Sequence, residues 1–282
     1  MGRRPLPSRV PDDAYEMTLG ELELKCQNRL WKGKVSEVDS HRRLHMFVHL
    51  IGPDTPLARI RKEHLEDLQE TLLTSPNGRG GTYSPATVNR IMVAGSKALA
   101  WAVDNEYLLK KPKFPLLVED NEKNAWIREQ DVPRFAQFVL DHQGWRYAVS
   151  LMTLLITGLR VGELLALRAE QLEQEYNGLW YLRLKARQTK TKKPRSVPIP
   201  ESLARPLMEM LTDGEGVPTY RQLWRTCKTA SRYLGLPEGV TPHVLRHTAA
   251  TLMTRKGVPT ATVAKLLGHA NLRTTQRYDH WV

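Results

Sequence analysis

A lysine- and proline-rich segment near the middle of the chain limits what this sequence can fold into. Residues 110–115 read Lys-Lys-Pro-Lys-Phe-Pro. A helix does not readily cross two such prolines, because each lacks a backbone donor and restricts the residue before it. The 282 residues suffice for two ordinary domains. We therefore predict a flexible basic tail over residues 1–13, a helical domain over 14–110, a linker over 111–120 and a second domain over 121–282.

Helical patterns fill the predicted first domain. Thr18 and Glu21 have the spacing of a capping box ahead of a run of leucines. Ser84-Pro85 is a typical helix start, and an apolar stripe continues from it to about residue 106. Two more helices are predicted between these, at about 36–51 and 62–73. With no convincing strand, the sequence predicts a small all-α domain.

The second domain is predicted to be mostly helical with a small sheet. Residues 180–184 and 196–199 have the pattern of short strands on either side of a basic hairpin. Helices are predicted at about 129–142, 145–157, 161–167, 201–211, 219–234, 242–256, 260–267 and 271–278. The fold class is therefore mainly α with a small β-sheet.

The charge of the chain points to a polyanionic partner. The formal net charge is +12, and residues 121–282 carry ten of these twelve surplus positive charges. Such a surplus favours nucleic acid through phosphate neutralisation, although a basic protein without such a partner is the alternative. Cys26 and Cys227 form no CxxC motif. Without a signal peptide or an apolar run of about 18 residues, we expect a cytoplasmic protein with no membrane partner.

Several reactive side chains follow the ends of predicted elements. Taken singly, each has an ordinary structural explanation, such as a surface ion pair or a packed ring. His243 and His247 have a spacing that can hold zinc, but no glutamate signature or third ligand accompanies them, so we predict no metal and no cofactor. The residues of interest are Arg160, Lys190, His243, Arg246, His269 and Tyr278.

In combination, these residues resemble the tyrosine site-specific recombinase (phage integrase) family. The shared pattern begins with Thr157-Gly-Leu-Arg160 and a hairpin lysine, Lys190, eight residues before Pro198. It continues with His243-Val-Leu-Arg246, with Leu267-Gly-His269 and with Tyr278, nine residues after that histidine. The resemblance covers most of the second domain. By its helices and length, the first domain is similar to the family's SAM-like core-binding domain.

The resemblance implies a role for each residue. Arg160 and Arg246 would clamp the scissile phosphate, where fixed guanidinium groups match phosphate oxygens. Lys190 would protonate the leaving 5′ oxygen, His243 would assist proton transfer, and His269 would hydrogen-bond the phosphate. Tyr278 would attack to give a 3′-phosphotyrosine. Glu163, three residues after Arg160, is either a group that orients this arginine or a surface ion pair.

Further lysines and arginines are candidate DNA contacts. They are Lys110, Lys111 and Lys113 in the linker, and Lys192, Lys193 and Arg195 around Lys190. One of the last three would be the acid if the hairpin register differed. An ordinary charged linker is the alternative for the first three.

The resemblance also implies the partners. They are double-stranded DNA with specific recombination sites, a homotetramer on two duplexes joined through a Holliday junction, and an accessory directionality or DNA-bending protein. We expect a protein that integrates or excises a phage or other mobile element, without metal or ATP. A dimer resolvase of the same chemistry and a non-catalytic DNA-binding regulator are the alternatives. Only four residues follow Tyr278 in this sequence, fewer than in many members of the family.

Overall fold

The computed structural model describes most of the chain and divides it into two units. The described residues are 17–34, 36–78, 80–119, 125–189, 193–237, 239–269 and Thr275. The units comprise residues 1–122 and 123–282. Lys190, Lys192 and Tyr278, the basic tail and all but Thr275 of the predicted helix 271–278 lie outside the described residues.

The first unit is built from the helices α1 (Leu19–Gln27), α2 (Glu37–Ile51), α3 (Lys62–Thr74) and α4 (Pro85–Asp104). Thr18 caps α1 with both bonds of a capping box to Glu21, as the spacing predicted. Ser84 caps α4 by accepting the Thr87 N–H, with Pro85 in the first turn. One apolar core unites the helices and includes Leu22, Phe47, Leu68 and Leu99.

The segment predicted as the start of a linker packs along the first unit. The Phe114 ring stacks on Phe47 at 5.9 Å between centroids. Asn89 accepts the Leu117 N–H at 2.9 Å and donates to the Leu117 carbonyl at 2.9 Å. No helix crosses these prolines, as expected, since α4 ends at Asp104, well before Pro112. Residues up to 119 nevertheless have partners on α3 and α4.

The helices of the second unit are α5 (Val132–Gln143), α6 (Trp145–Thr157), α7 (Val161–Leu165), α8 (Glu201–Thr212), α9 (Tyr220–Leu234), α10 (Pro242–Arg255) and α11 (Thr260–Leu267). The apolar helix α6 is central: it packs against α5, α8 and α10 and buries Leu151, Leu154 and Leu155. Each such side chain contributes on the order of 1.5–3 kcal/mol by leaving water.

A small antiparallel sheet lies beside these helices. Its described strands are β1 (Leu172–Gln174), β2 (Trp180–Leu184) and β3 (Arg195–Ile199), in the order β1-β2-β3. In the β2–β3 register, Leu182 pairs with Val197 and Leu184 with Arg195. The sequence predicted β2 and β3 but not the short β1. The predicted fold class, mainly α with a small sheet, is confirmed.

Within the described residues, no helix has both the length and the apolar character needed to cross a bilayer.

Candidate active site

Arg160 lies at a tight chain reversal between α6 and α7. Gly158 ends α6 with φ +65°, a conformation that L side chains rarely adopt. A Cβ atom on Gly158 would lie 2.4 Å from Leu267 Cδ2, so the absence of a side chain lets this reversal approach the end of α11 closely. Arg160 Nη2 then donates to the carbonyl of Gly268 at 3.3 Å. The reversal therefore places Arg160 beside the Leu-Gly-His segment.

Arg246 fastens the same two segments to each other. Its side chain is buried on α10. Nη1 donates to the Gly158 carbonyl at 2.6 Å, and Nη2 donates to the Leu267 carbonyl at 2.8 Å. One guanidinium thus joins the reversal after α6 to the end of α11. Arg160, Arg246 and residues 267–269 come together from three separate stretches of sequence.

The two motif histidines lie on elements next to these arginines. His243 is exposed in the first turn of α10, one turn before Arg246. Its ring meets that of His247 edge-on, with centroids 4.6 Å apart. His269 follows Gly268, and its Nδ1 shares a hydrogen bond of 2.7 Å with the hydroxyl of buried Thr275. That bond orients the imidazole, and sequence reasoning missed Thr275 because a lone threonine gives no signal.

Glu163 bonds to two arginines rather than one. It is 2% exposed and accepts the Arg160 N–H at 2.8 Å and Arg160 Nη1 at 3.0 Å. Arg195 donates to both carboxylate oxygens, Nη2 at 2.6 Å and Nη1 at 3.0 Å. Burial raises the pKa of the Glu163 carboxyl, but the hydrogen bonds and charges of Arg195 and Arg160 outweigh it and hold the pKa below 4.5. Glu163 is therefore a buried carboxylate that binds Arg160, and the alternative of a surface ion pair is wrong.

The structure describes part of the predicted basic hairpin. Thr189 accepts the Lys193 N–H at 3.1 Å, and its hydroxyl lies 2.9 Å from the Lys193 carbonyl. These bonds hold together the two ends of the segment that contains Lys190. Lys193 is exposed, in keeping with a candidate DNA contact.

Arg195 differs from the exposed contact expected of it. Its side chain is 7% exposed, and its guanidinium bonds to Glu163. The sequence of β3 does not indicate whether the Arg195 side chain points to solvent or toward a buried acid on another element.

The three lysines proposed as linker contacts belong to the first unit. Lys110, Lys111 and Lys113 are exposed. Lys111 Nζ donates to the Ser96 hydroxyl at 2.7 Å, so its ammonium already has a partner on α4.

A basic face on α9 is a feature that sequence reasoning missed. Arg221, Arg225 and Arg232 are exposed, and Lys228 is partly exposed. The Lys228 ammonium lies 5.6 Å from the centre of the Trp224 ring. These four cations repeat at i, i+4, i+7 and i+11, the spacing of one helix face, which was the signal that could have revealed them.

In the described part of the chain, no group of three or more His, Cys, Asp or Glu side chains is arranged to hold a metal ion. The cations that the described residues bring to the candidate site are arginine side chains.

Comparison with known proteins identifies the family. A sequence model of the phage integrase family matches residues 125–281, which is more than half of the chain. The chain belongs to this family. The matched region contains all six residues of the predicted motif pattern, including Lys190 and Tyr278. The chain is accordingly a tyrosine recombinase, and its function is site-specific DNA recombination, as the motifs predicted.

The relatives of this chain include proteins named as recombinases and as integrases. The chain is 29% identical over 217 residues to tyrosine recombinase XerA of Pyrococcus furiosus, and the alignment covers 71% of each chain. It is 25% identical over 210 residues to the integrase of Escherichia phage P2, covering 72% of this chain but 58% of that one. Its fold matches the Tn1549 transposon integrase in complex with transposon right-end DNA, with a TM-score of 0.73 and 19% identity over 93% and 94% of the chains.

Proposed function

We propose that this recombinase integrates or excises a phage or other mobile element. The observation that supports its chemistry best is the convergence of Arg160 and Arg246. Both side chains bind carbonyls in the Leu267–Gly268 turn, and Arg246 also binds the Gly158 carbonyl. Two guanidiniums fixed by backbone bonds form a preorganised cationic site, which suits a phosphodiester that gains negative charge during attack.

The proposed reaction is a transesterification. The Tyr278 phenol oxygen bonds to phosphorus, the bond to the 5′ oxygen breaks, and the phenol proton passes to His243 or solvent. Lys190 donates a proton to the departing 5′ oxygen, while Arg160, Arg246 and His269 stabilise the phosphate. The phosphotyrosine ester conserves the bond energy, so a 5′-hydroxyl reseals the strand by the reverse path without ATP.

The basic surfaces of the second unit support duplex DNA as the substrate. Most of the surplus charge lies in residues 121–282, and the α9 face presents four cations. Backbone phosphates are the expected contacts of such a surface. By analogy with the family, we propose four protomers on two duplexes, an accessory directionality or DNA-bending protein, and action in the cytoplasm at the nucleoid.

A dimer resolvase of the same chemistry is the second candidate. The matched relatives support it, since they include tyrosine recombinase XerA, aligned over 71% of each chain, as well as the integrase of phage P2. The two roles differ in the DNA on which the enzyme acts. Recombination at the junctions of a mobile element supports integration, whereas recombination at a single site on a chromosome or plasmid supports resolution.

A nicked suicide substrate tests the chemistry. Overlapping duplexes that cover the DNA flanking the protein's own gene would each carry a nick close to the tested cleavage position. After cleavage, the short fragment that bears the free 5′-hydroxyl diffuses away, so that the strand cannot be resealed. We expect a covalent 3′-linked adduct, in EDTA as well as in Mg²⁺, and its loss in Tyr278→Phe without loss of DNA binding. An adduct that needs Mg²⁺, or one that persists in Tyr278→Phe, would overturn the proposed mechanism.

A further inference from the structure

Arg160, Glu163 and Arg195 form a three-residue ion cluster, which we name the Glu163 cluster. Its exposure is graded. The side chains of Glu163 and Arg195 are 2% and 7% exposed, whereas that of Arg160 is 25% exposed. Arg160 is therefore the member of this cluster that a DNA phosphate can reach.

The carboxylate is not shared equally between its two partners. Arg195 makes a forked pair with both oxygens, the geometry in which guanidinium–carboxylate bonds are strongest. Arg160 offers one side-chain nitrogen, at 3.0 Å, and its backbone N–H. One negative charge thus faces two positive charges, and the forked partner is the buried one. The cluster keeps a surplus positive charge, located on its exposed side.

Arg195 is held in this position independently of Glu163. Its Nε donates to the Leu266 carbonyl at 2.9 Å. Its guanidinium also lies against Gly268, where a Cβ atom would be 2.8 Å from Nη1. Arg195 is anchored by the same turn that receives bonds from Arg160 and Arg246, so its place is fixed relative to the proposed phosphate site.

We propose that Arg195 is a positioning residue that neutralises Glu163 and thereby leaves the charge of Arg160 available to the scissile phosphate. This inference rests on the proposed strand-cleavage function. Without Arg195, the buried Glu163 carboxylate has Arg160 as its remaining partner within the cluster. A buried carboxylate strongly requires a counter-charge, so it would hold Arg160 and cancel the charge that the phosphate needs.

The test compares single and double variants on the suicide substrate mapped for the wild type. Arg195→Met should slow adduct formation by on the order of 10²-fold, the usual effect of losing one preorganised donor. The double variant Arg195→Met/Glu163→Gln should recover at least about tenfold of that loss, because no carboxylate then competes for Arg160. If Arg195 had only a structural role, the double variant would form the adduct more slowly than Arg195→Met, since it removes more bonds.

A neutral substrate supplies a second readout. A methylphosphonate at the scissile position removes one negative charge from the phosphate. If Arg195 acts through the charge of Arg160, the defect of Arg195→Met should shrink on this substrate by about tenfold or more. A defect in folding or packing would be the same on both substrates. DNA binding and thermal unfolding are measured alongside.

Arg183→Met is the matched control. Arg183 lies in β2 and also pairs with two carboxylates, Glu173 at 3.0 Å and Glu175 at 2.6 Å. Its cleavage rate should stay within about twofold of the wild type, because Arg183 pairs with the exposed acids Glu173 and Glu175 and not with Glu163. A loss equal to that of Arg195→Met would show that any sheet arginine has this effect and would overturn the proposal.

The outcomes separate this inference from the proposed function. If the wild type forms no adduct, the cleavage function fails and the inference falls with it. If the wild type is active and Arg195→Met matches it, or the double variant is no faster than Arg195→Met, the inference alone fails. Should Arg195→Met not fold, Arg195→Lys retains the positive charge and should keep its rate within about tenfold; a loss as large as that of Arg160→Ala would refute the charge argument.

Discussion

Glu163 is a buried carboxylate that stays ionised because two guanidiniums bind it. Its pKa is lowered in the folded protein relative to 4.5. It therefore contributes stability that is complete above the unfolded-state pKa and is lost as the pH falls through the lower folded-state pKa. We expect acidification below pH 4.5 to reduce the free energy of unfolding, and Glu163→Gln to remove this part of the acid dependence. Urea unfolding at neutral and acid pH measures both.

Glu163→Gln should also lower stability at neutral pH. Removing one partner of a buried ion pair costs about 3–5 kcal/mol, because the other charge remains buried. Glu173→Gln is the control, since Glu173 pairs with Arg183 at the surface, where such a pair contributes about 0–1 kcal/mol. Equal acid sensitivity in Glu163→Gln and the wild type would contradict an ionised Glu163.

At the scale of an element, the end of α6 sets the position of Arg160. Gly158→Ala should destabilise the protein for two reasons. The left-handed conformation costs an L residue about 1–2 kcal/mol, and overpacking against Leu267 adds about 1–3 kcal/mol. The free energy of unfolding in urea measures the sum. Adduct formation should fall as well, because Arg246 binds the Gly158 carbonyl.

Gly235→Ala isolates the conformational part of that cost. Gly235 ends α9 with φ +63°, and no described heavy atom beyond its chain neighbours lies within 4 Å of a Cβ built there. Its substitution should cost only the backbone contribution and leave adduct formation unchanged. Equal losses of stability in the two variants would mean that α11 yields to the added methyl group.

The elements that the sequence predicted well are those with local signals. Caps such as Thr18 and Ser84 depend on residues three positions away, and both form as predicted. The packing of residues 108–119 was not predictable in the same way. It depends on Phe47 and Asn89, which lie far away in sequence and show no pattern that marks them as partners. The prolines correctly indicated that no helix crosses this segment, but they did not indicate where the extended chain would lie.

At the scale of the whole molecule, motif order was informative where single residues were not. The motif residues are spread from Arg160 to His269 in sequence, and the structure brings Arg160 and Arg246 together at the Leu267–Gly268 turn. The inward turn of Arg195 could not be read from the sequence, since it requires a buried acid on another element. Lys190 and Tyr278 lie outside the described residues, and adduct formation by Tyr278→Phe tests the proposed nucleophile directly.

The distribution of charge over the molecule makes a prediction about DNA binding. An affinity that depends on phosphate neutralisation falls with salt, with a log–log slope of about −0.9 for each neutralised phosphate. We expect a steep slope for the wild type on duplex DNA, measured by fluorescence anisotropy over a series of salt concentrations. Arg221→Ala and Arg225→Ala together should weaken binding and reduce the slope by roughly one unit each, because both side chains are exposed on the basic face of α9. Arg205→Ala, which removes an exposed arginine paired with Glu201 on α8, should leave the slope unchanged. If the α9 variants and the Arg205 control gave the same slope, the face of α9 would not be where the duplex lies, and net charge alone would account for the affinity.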